Sequence, residues 1–296
     1  MKTKKKILFL GCNKSQTKYL KEIKKLNKFI IIGTDINNLA DGKKYCDKFY
    51  KLSYENSKKL INIGIKESFN KFDKVFTASS QISYVSASEF AKKFDINFPK
   101  PKNINTAIDK VSFYKFLNKN KIKVPKFYII KDKQELKKKL KENFNKNFYL
   151  KSDYSKNPNY VYQISKLNNL NINWKKDRFL KRSYVLQETC YGSHLRINFF
   201  ENKFNFFYTK KKFPVSSQFI KIKIIPQIKK IIKKLELENM IVKFDIIVST
   251  DNKVYFLDLG LDPPYRMRKK YIKKKITFEK LYVYKYLLNK KNLFNV

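Results

Sequence analysis

At 296 residues the chain is long enough to bury a large core and to hold two or more folding units. With 43% hydrophobic and 16% aromatic residues, it does not have the composition of a disordered chain. The formal charge of +44 invites a nucleic-acid reading, but only five of the 68 basic residues are arginine, leaving 63 lysines, whereas bidentate base and phosphate readout prefers arginine. Asn, Ile, Phe and Tyr, which share AT-rich codons with Lys, are over-used too. Biased coding therefore accounts for much of the lysine as solvated surface, and recognition of a specific nucleic acid is not expected.

The first hundred residues alternate strand and helix. Residues 6–10 predict a buried strand that ends in Gly11. Residues 15–26 predict a helix with Tyr19, Leu20, Ile23 and Leu26 on one face. Residues 29–33 predict a second strand leading into Thr34 and Asp35, residues 74–77 a third, and residues 84–93 a helix. Strand–helix–strand order with continuous apolar strands implies an α/β doubly wound parallel sheet. Gly11 and Asp35 fall where such sheets place ligands. The turn Gly11-Cys12-Asn13-Lys14-Ser15-Gln16 lacks the dinucleotide glycine fingerprint, so an ordinary tight turn and a capping Asp are preferred there.

Paired prolines at Pro99 and Pro101 mark a boundary, giving units 1–98 and 99–296. In the second unit a helix runs through Phe113, Phe116 and Leu117, and a strand is entered at residues 122–127. A helix at 133–143 precedes a strand at 148–151, and further strands follow at 160–164 and 184–188. This half reads as α+β with mixed or antiparallel strands. Residues 242–248 and 254–260 flank a polar break and read as a β-hairpin whose register sets Asp245 opposite Asp258. Like charges opposed on one sheet face repel unless a cation sits between them or they share a proton. Two hard oxygen donors suit Mg²⁺. The plainer alternative is one solvent-facing Asp and one that merely ends its strand.

Cys12, Cys46 and Cys190 are odd in number and scattered, which suggests neither a disulfide framework nor a zinc site. The apolar run before Gly11 is too short for a secretion signal and no window approaches a membrane span, so a cytoplasmic location without membrane contact is expected.

The order of these motifs resembles the ATP-grasp superfamily over nearly the whole chain. Residues 1–98 look like that family's preceding Rossmann-like domain, and Ala107-Ile108-Asp109-Lys110 through Val124-Pro125-Lys126 like the entry to its nucleotide domain. Phe148-Tyr149-Leu150-Lys151 resembles its lysine-bearing strand, Val185-Leu186-Gln187-Glu188 with Gly192 its adenine hinge, and Phe244-Asp245 with Leu257-Asp258 its metal-binding hairpin. The resemblance implies an ATP-grasp domain at 99–296 and an ATP-dependent carbon–nitrogen ligase that activates a carboxylate as an acyl phosphate for attack by an amine. It assigns Lys110 and Lys151 to the ATP phosphates, and Gln187 and Glu188 to adenine. His194 goes to the ribose, Asp245 and Asp258 to Mg²⁺, and Arg266 to the substrate carboxylate or acyl phosphate. Plainer roles stand beside these: solvated lysine for Lys110, a capping acid for Glu188 and a structural imidazole for His194. ATP and Mg²⁺ are the implied cofactors, with small-molecule carboxylate and amine substrates as partners. The oligomeric state stays open, a homodimer included.

Three departures bear on turnover. The loop after Lys151 has no glycines, Gly260 stands where many relatives carry an Asn metal ligand, and Asp258 replaces the more usual Glu. They keep in view a nucleotide-binding or scaffold protein of the same fold with weakened catalysis, while the charge keeps a third reading, a basic nucleic-acid-binding protein.

Overall fold

A computed structural model of the protein describes residues 4–152, 161–164, 183–200, 203–261 and 277–288. The N-terminal part contains β1 (Lys5–Leu10), α1 (Thr17–Lys25), β2 (Phe29–Asp35), β3 (Lys48–Lys51), α2 (Ser57–Lys66), β4 (Lys74–Thr77) and α3 (Gln81–Lys93). Its four strands pair in parallel in the order β3-β2-β1-β4. That order follows from the sequence: Ile7, Leu8, Phe9 and Leu10 are all fully buried, as a central strand covered on both faces requires. On one face Ile7, Phe9 and Ile31 meet Tyr19, Leu20 and Ile23 of α1; on the other, Leu8, Leu10 and Ile32 meet α2 and α3. The doubly wound expectation is thus met. The edge strand β3 and helix α2 are additions to it.

After Pro99 come α4 (Pro101–Ile108) and α5 (Lys110–Lys119), two helices where the sequence suggested one. The break is Asp109, whose extended backbone closes α4 while its carboxylate caps α5 by accepting from the Ser112 N–H at 2.7 Å. Next are β5 (Phe127–Ile130), α6 (Lys133–Glu142), β6 (Phe148–Ser152), β7 (Val161–Ile164) and β8 (Tyr184–Glu188). The strands form an antiparallel sheet ordered β5-β8-β6-β7. Phe148, Leu150, Tyr184 and Leu186 pack its one face onto Leu136 and Leu140 of α6. The opposite face, with Lys151 and Gln187, is left for other contacts.

A third sheet is built from β9 (Ser193–Phe200), β10 (Lys203–Lys210), β11 (Val242–Val248) and β12 (Val254–Gly260), with α7 (Ser217–Phe219) and α8 (Ile225–Lys234) between β10 and β11. Its order is β10-β9-β11-β12, all antiparallel. Leu195, Ile197, Phe244, Ile246 and Phe256 form the apolar side, against Ile228, Ile231 and Ile232 of α8 and Phe113 and Leu117 of α5. The alternation buried–half-buried along β11 leaves Lys243, Asp245 and Ile247 on the other face. The last described helix, α9 (Phe278–Leu288), returns to the first sheet, where Tyr282 meets Tyr19 and Phe76 edge-on or tilted.

Candidate active site

The polar face of the third sheet carries a row of charge. In the register of β9, β11 and β12, Arg196 lies opposite Asp245, and Asp245 opposite Asp258. The expected apposition of the two carboxylates is therefore present, and a bulge at Leu257 adjusts the ladder beside it. Arg196 answers the question of their repulsion. Its Nε and one terminal nitrogen donate to the two Asp245 oxygens, each at 2.7 Å, a bidentate pair. Asp245 is thereby neutralised within the protein. Asp258 is more open: among the described residues Oδ1 accepts only the Leu259 N–H, at 3.1 Å, and Oδ2 lies 3.9 Å from Lys110 Nζ.

Lys110 is the least exposed lysine among the described residues. The first turn of α5 holds it there, because the Asp109 cap fixes where that helix starts. Burying an ammonium without an anion is costly, and Asp258 supplies part of the compensation. The solvated-lysine reading of Lys110 does not describe this position.

Lys151 reaches the same region from β6 in the second sheet. Its ammonium donates to Gln187 Oε1 at 2.6 Å. Burial pushes its pKa down to about 8, with Lys110 acting in the same direction and Asp258 opposing. Gln187, fully enclosed on β8, therefore offers its side chain to Lys151. Tyr114 of α5 adds a strut, its hydroxyl 2.7 Å from Gln187 Oε1 and 2.9 Å from the Leu257 carbonyl. One buried phenol thus touches the strand pair that holds Lys151 and the strand that holds Asp258. Burial, with Asp258 nearby, holds that phenol well above its usual range.

Glu188, half-buried, pairs with Lys146 at 2.9 Å, and its N–H is donated to the Lys126 carbonyl. Its carbonyl accepts from Cys190 Sγ at 4.0 Å. His194 stands on β9 with Nε2 3.8 Å from Asp245 Oδ1. That nitrogen is buried and has no hydrogen-bond partner among the described residues. Burial, reinforced by Arg196 and Lys151 against the pull of Asp245, lowers its pKa and keeps the imidazole neutral at neutral pH. Arg266 lies outside the described residues, as do residues 153–160 of the glycine-free loop.

Sequence reasoning gave no role to Arg196, Asn198, Tyr114 or Lys243. A signal existed for the first two: His194, Arg196 and Asn198 alternate with apolar Leu195 and Ile197, a period-2 polar stripe on a strand. Lys243 bears on the missing Asn ligand. It pairs with Gly260 across the ladder, and a Cβ built on Gly260 would stand 2.2 Å from Lys243 Cε and 3.0 Å from its Cγ. The lysine stem occupies the space a Gly260 side chain would need. Among the described residues no three His, Cys, Asp or Glu gather as a metal cluster.

The chain matches no protein-family model and no curated protein sequence. Its fold does have close counterparts. N5-carboxyaminoimidazole ribonucleotide synthetase from Thermotoga maritima superposes with a TM-score of 0.69 at 14% identity, covering 97% of this chain and 76% of that one. L-amino acid ligase from Bacillus licheniformis gives 0.72 at 12% identity over 97% and 75%. The biotin carboxylase domain of 2-oxoglutarate carboxylase from Hydrogenobacter thermophilus, solved with MgADP and bicarbonate, gives 0.72 at 12% over 99% and 72%. These likenesses show a shared fold, the one the motif order implied.

Proposed function

We propose that the protein is an ATP-dependent ligase that activates a carboxylate as an acyl phosphate and passes the acyl group to an amine. The observation that carries this reading is the convergence of Lys110, Lys151 and Asp258 beside the Arg196–Asp245 pair, inside an ATP-grasp fold. Lys110 and Lys151 come from different elements yet face one carboxylate row, an arrangement suited to spreading positive charge along a polyphosphate. Gln187 and Tyr114 fix the approach of Lys151. The hinge that includes Glu188 is assigned to adenine, and neutral His194 with its unpartnered nitrogen to a ribose hydroxyl. Arg266 is assigned to the carboxylate substrate.

The donor set suits Mg²⁺. An open Asp258 next to a second carboxylate suits a cation that keeps water and phosphate ligands. Asp258 would hold it, with Asp245 joining through an oxygen released by Arg196, and when bound it would supply further neutralisation of the transferring phosphoryl group. In the reaction the substrate carboxylate oxygen attacks the γ-phosphorus and the bond to the β–γ bridging oxygen breaks, so ADP leaves. The amine then attacks the acyl carbon and phosphate departs. The work of the chain is to hold the γ-phosphate, Lys110 and Lys151 in line with the incoming carboxylate.

A second reading, nucleotide binding with weakened turnover, is favoured by Lys243 lying across Gly260. Phosphate release from ATP, measured with Mg²⁺ across a panel of carboxylates and amines, separates the two. The ligase reading expects release that needs Mg²⁺ and one particular carboxylate. Tight Mg·ATP binding with no release anywhere in a broad panel would favour the second, and absence of nucleotide binding would overturn both.

A further inference from the structure

Cys12 and Cys46 are 34 positions apart in sequence, yet their sulfurs lie 4.0 Å from each other. Cys12 belongs to the turn after β1 and Cys46 to the connection between β2 and β3. Gly33 of β2 makes the meeting possible. A Cβ on Gly33 would stand 2.3 Å from Cys46 Sγ and 2.9 Å from Cys12 Sγ, so any other residue would drive the sulfurs apart. The two segments are already tied: the Gly42 N–H donates to the Cys12 carbonyl at 2.7 Å, and Cys46 Sγ donates to the Gly42 carbonyl at 3.6 Å. Cys12 is buried and Cys46 half-buried, so Cys46 is the more accessible residue of the two. No third metal-ligating side chain joins them in a cluster among the described residues, so a soft-metal site is the poorer explanation.

We propose that Cys12 and Cys46 form a modification site, a thiol pair that a hydroperoxide converts reversibly into a disulfide joining the β1–α1 turn to the β2–β3 connection. The sulfur of Cys46 attacks the peroxide oxygen, the O–O bond breaks, and an alcohol or water leaves as Cys46 becomes a sulfenic acid. Cys12 sulfur then attacks the Cys46 sulfur, the S–O bond breaks, and the oxygen departs as water with the Cys12 proton. Two electrons pass from the thiols to the peroxide. Closing the gap to the ~2.05 Å of an S–S bond needs a relative movement of about 2 Å. A dithiol reverses the reaction by thiol–disulfide exchange, which suits a switchable bridge in a reducing compartment. The third cysteine, Cys190, stands in the other half of the molecule, near Glu188 and Lys151, and takes no part.

The test is limited hydrogen peroxide treatment of the intact protein, followed by alkylation under denaturing conditions and non-reducing peptide mapping. The expected result is a mass lower by two hydrogen atoms, a peptide pair linked through Cys12 and Cys46, an alkylated Cys190, and recovery of both thiols with dithiothreitol. Cys46→Ser should leave Cys12 unlinked and unoxidised under the same exposure. Oxygen addition at Cys46 without a link, or a link formed mainly through Cys190, would overturn the proposal. So would stoichiometric Zn²⁺ that protects both thiols while peroxide leaves them unjoined.

Discussion

Asp35 at the end of β2 and Asp258 on β12 are both carboxylates at the margin of an apolar sheet, yet they are surrounded in opposite ways. Asp35 is buried and accepts the Cys12 N–H at 2.7 Å and the Asn37 N–H at 2.9 Å, so its charge is answered by backbone at a tight turn. Asp258 keeps about a third of its side chain exposed, touches one backbone donor, and faces Lys110 from a different element. A carboxylate answered by backbone donors stabilises the fold. One left open opposite side chains from several elements is available for chemistry. The same contrast separates Asp245, locked by Arg196, from Asp258 across the ladder.

The largest effect expected is at Lys151. Lys151→Met should lower turnover by about 10²–10³, the scale of losing one donor aimed at developing transition-state charge, and should weaken Mg·ATP binding. Its pKa near 8 gives a direction to the pH dependence. The ammonium is charged below that value and deprotonates above it, so affinity for ATP should fall from about pH 7 to about pH 9. Bound phosphate favours the charged form, so binding near pH 8 should take up a proton. Calorimetry in buffers of different ionisation enthalpy reads that uptake, and Lys151→Met should abolish it.

Arg196→Met should come next. It strips the neutralising partner from Asp245 and leaves two opposed carboxylates, for a loss of about 2–3 kcal/mol in denaturant unfolding. Added Mg²⁺ should restore part of that loss in the variant and little in wild type. If Arg196→Met is as stable as wild type, the row is not electrostatically coupled.

How far the sequence reveals this arrangement differs by element. The central strand β1 and the hairpin β11–β12 are legible because unbroken or alternating apolar runs of that length have few other uses. β3 is not, since Lys48-Phe49-Tyr50-Lys51 is a short, half-exposed edge strand with no apolar run. Helix α8 is legible in principle from Ile225, Ile228, Ile231 and Ile232, but it lies outside the motifs that carry the resemblance. At the site, the Asp245–Asp258 apposition follows from one hairpin. The Arg196–Asp245 pair joins strands 49 residues apart and needs the sheet order. That pair changes what the hairpin alone implies. A repulsive carboxylate pair would make a charge-removing change at Asp258 stabilising in the metal-free protein. With Arg196 already on Asp245 and Lys110 beside Asp258, the structure predicts no such gain.

Smaller effects sharpen the contrast further. Tyr114→Phe keeps the packing and removes the hydroxyl between Gln187 and the Leu257 carbonyl, for about 1 kcal/mol of stability. It should also shift the pH profile attributed to Lys151, which a purely packing role would not. Asp35→Asn should cost about 1 kcal/mol in unfolding and leave nucleotide affinity unchanged. A nucleotide effect there as large as that of Lys151→Met would erase the distinction drawn between the two sheets. Gly260→Asn should require the flexible Lys243 side chain to move aside, at a small cost in stability. Pairing it with Lys243→Ala should relieve the clash, read as recovered melting temperature.

The most direct test is isothermal titration of ATP into wild type and Asp258→Asn, each with and without Mg²⁺. The account predicts that Mg²⁺ tightens binding to wild type, that Asp258→Asn removes most of that gain, and that its unfolding midpoint is not raised. Equal Mg²⁺-dependent affinity in the two proteins would contradict the assignment of the Asp245–Asp258 row as the metal–nucleotide site.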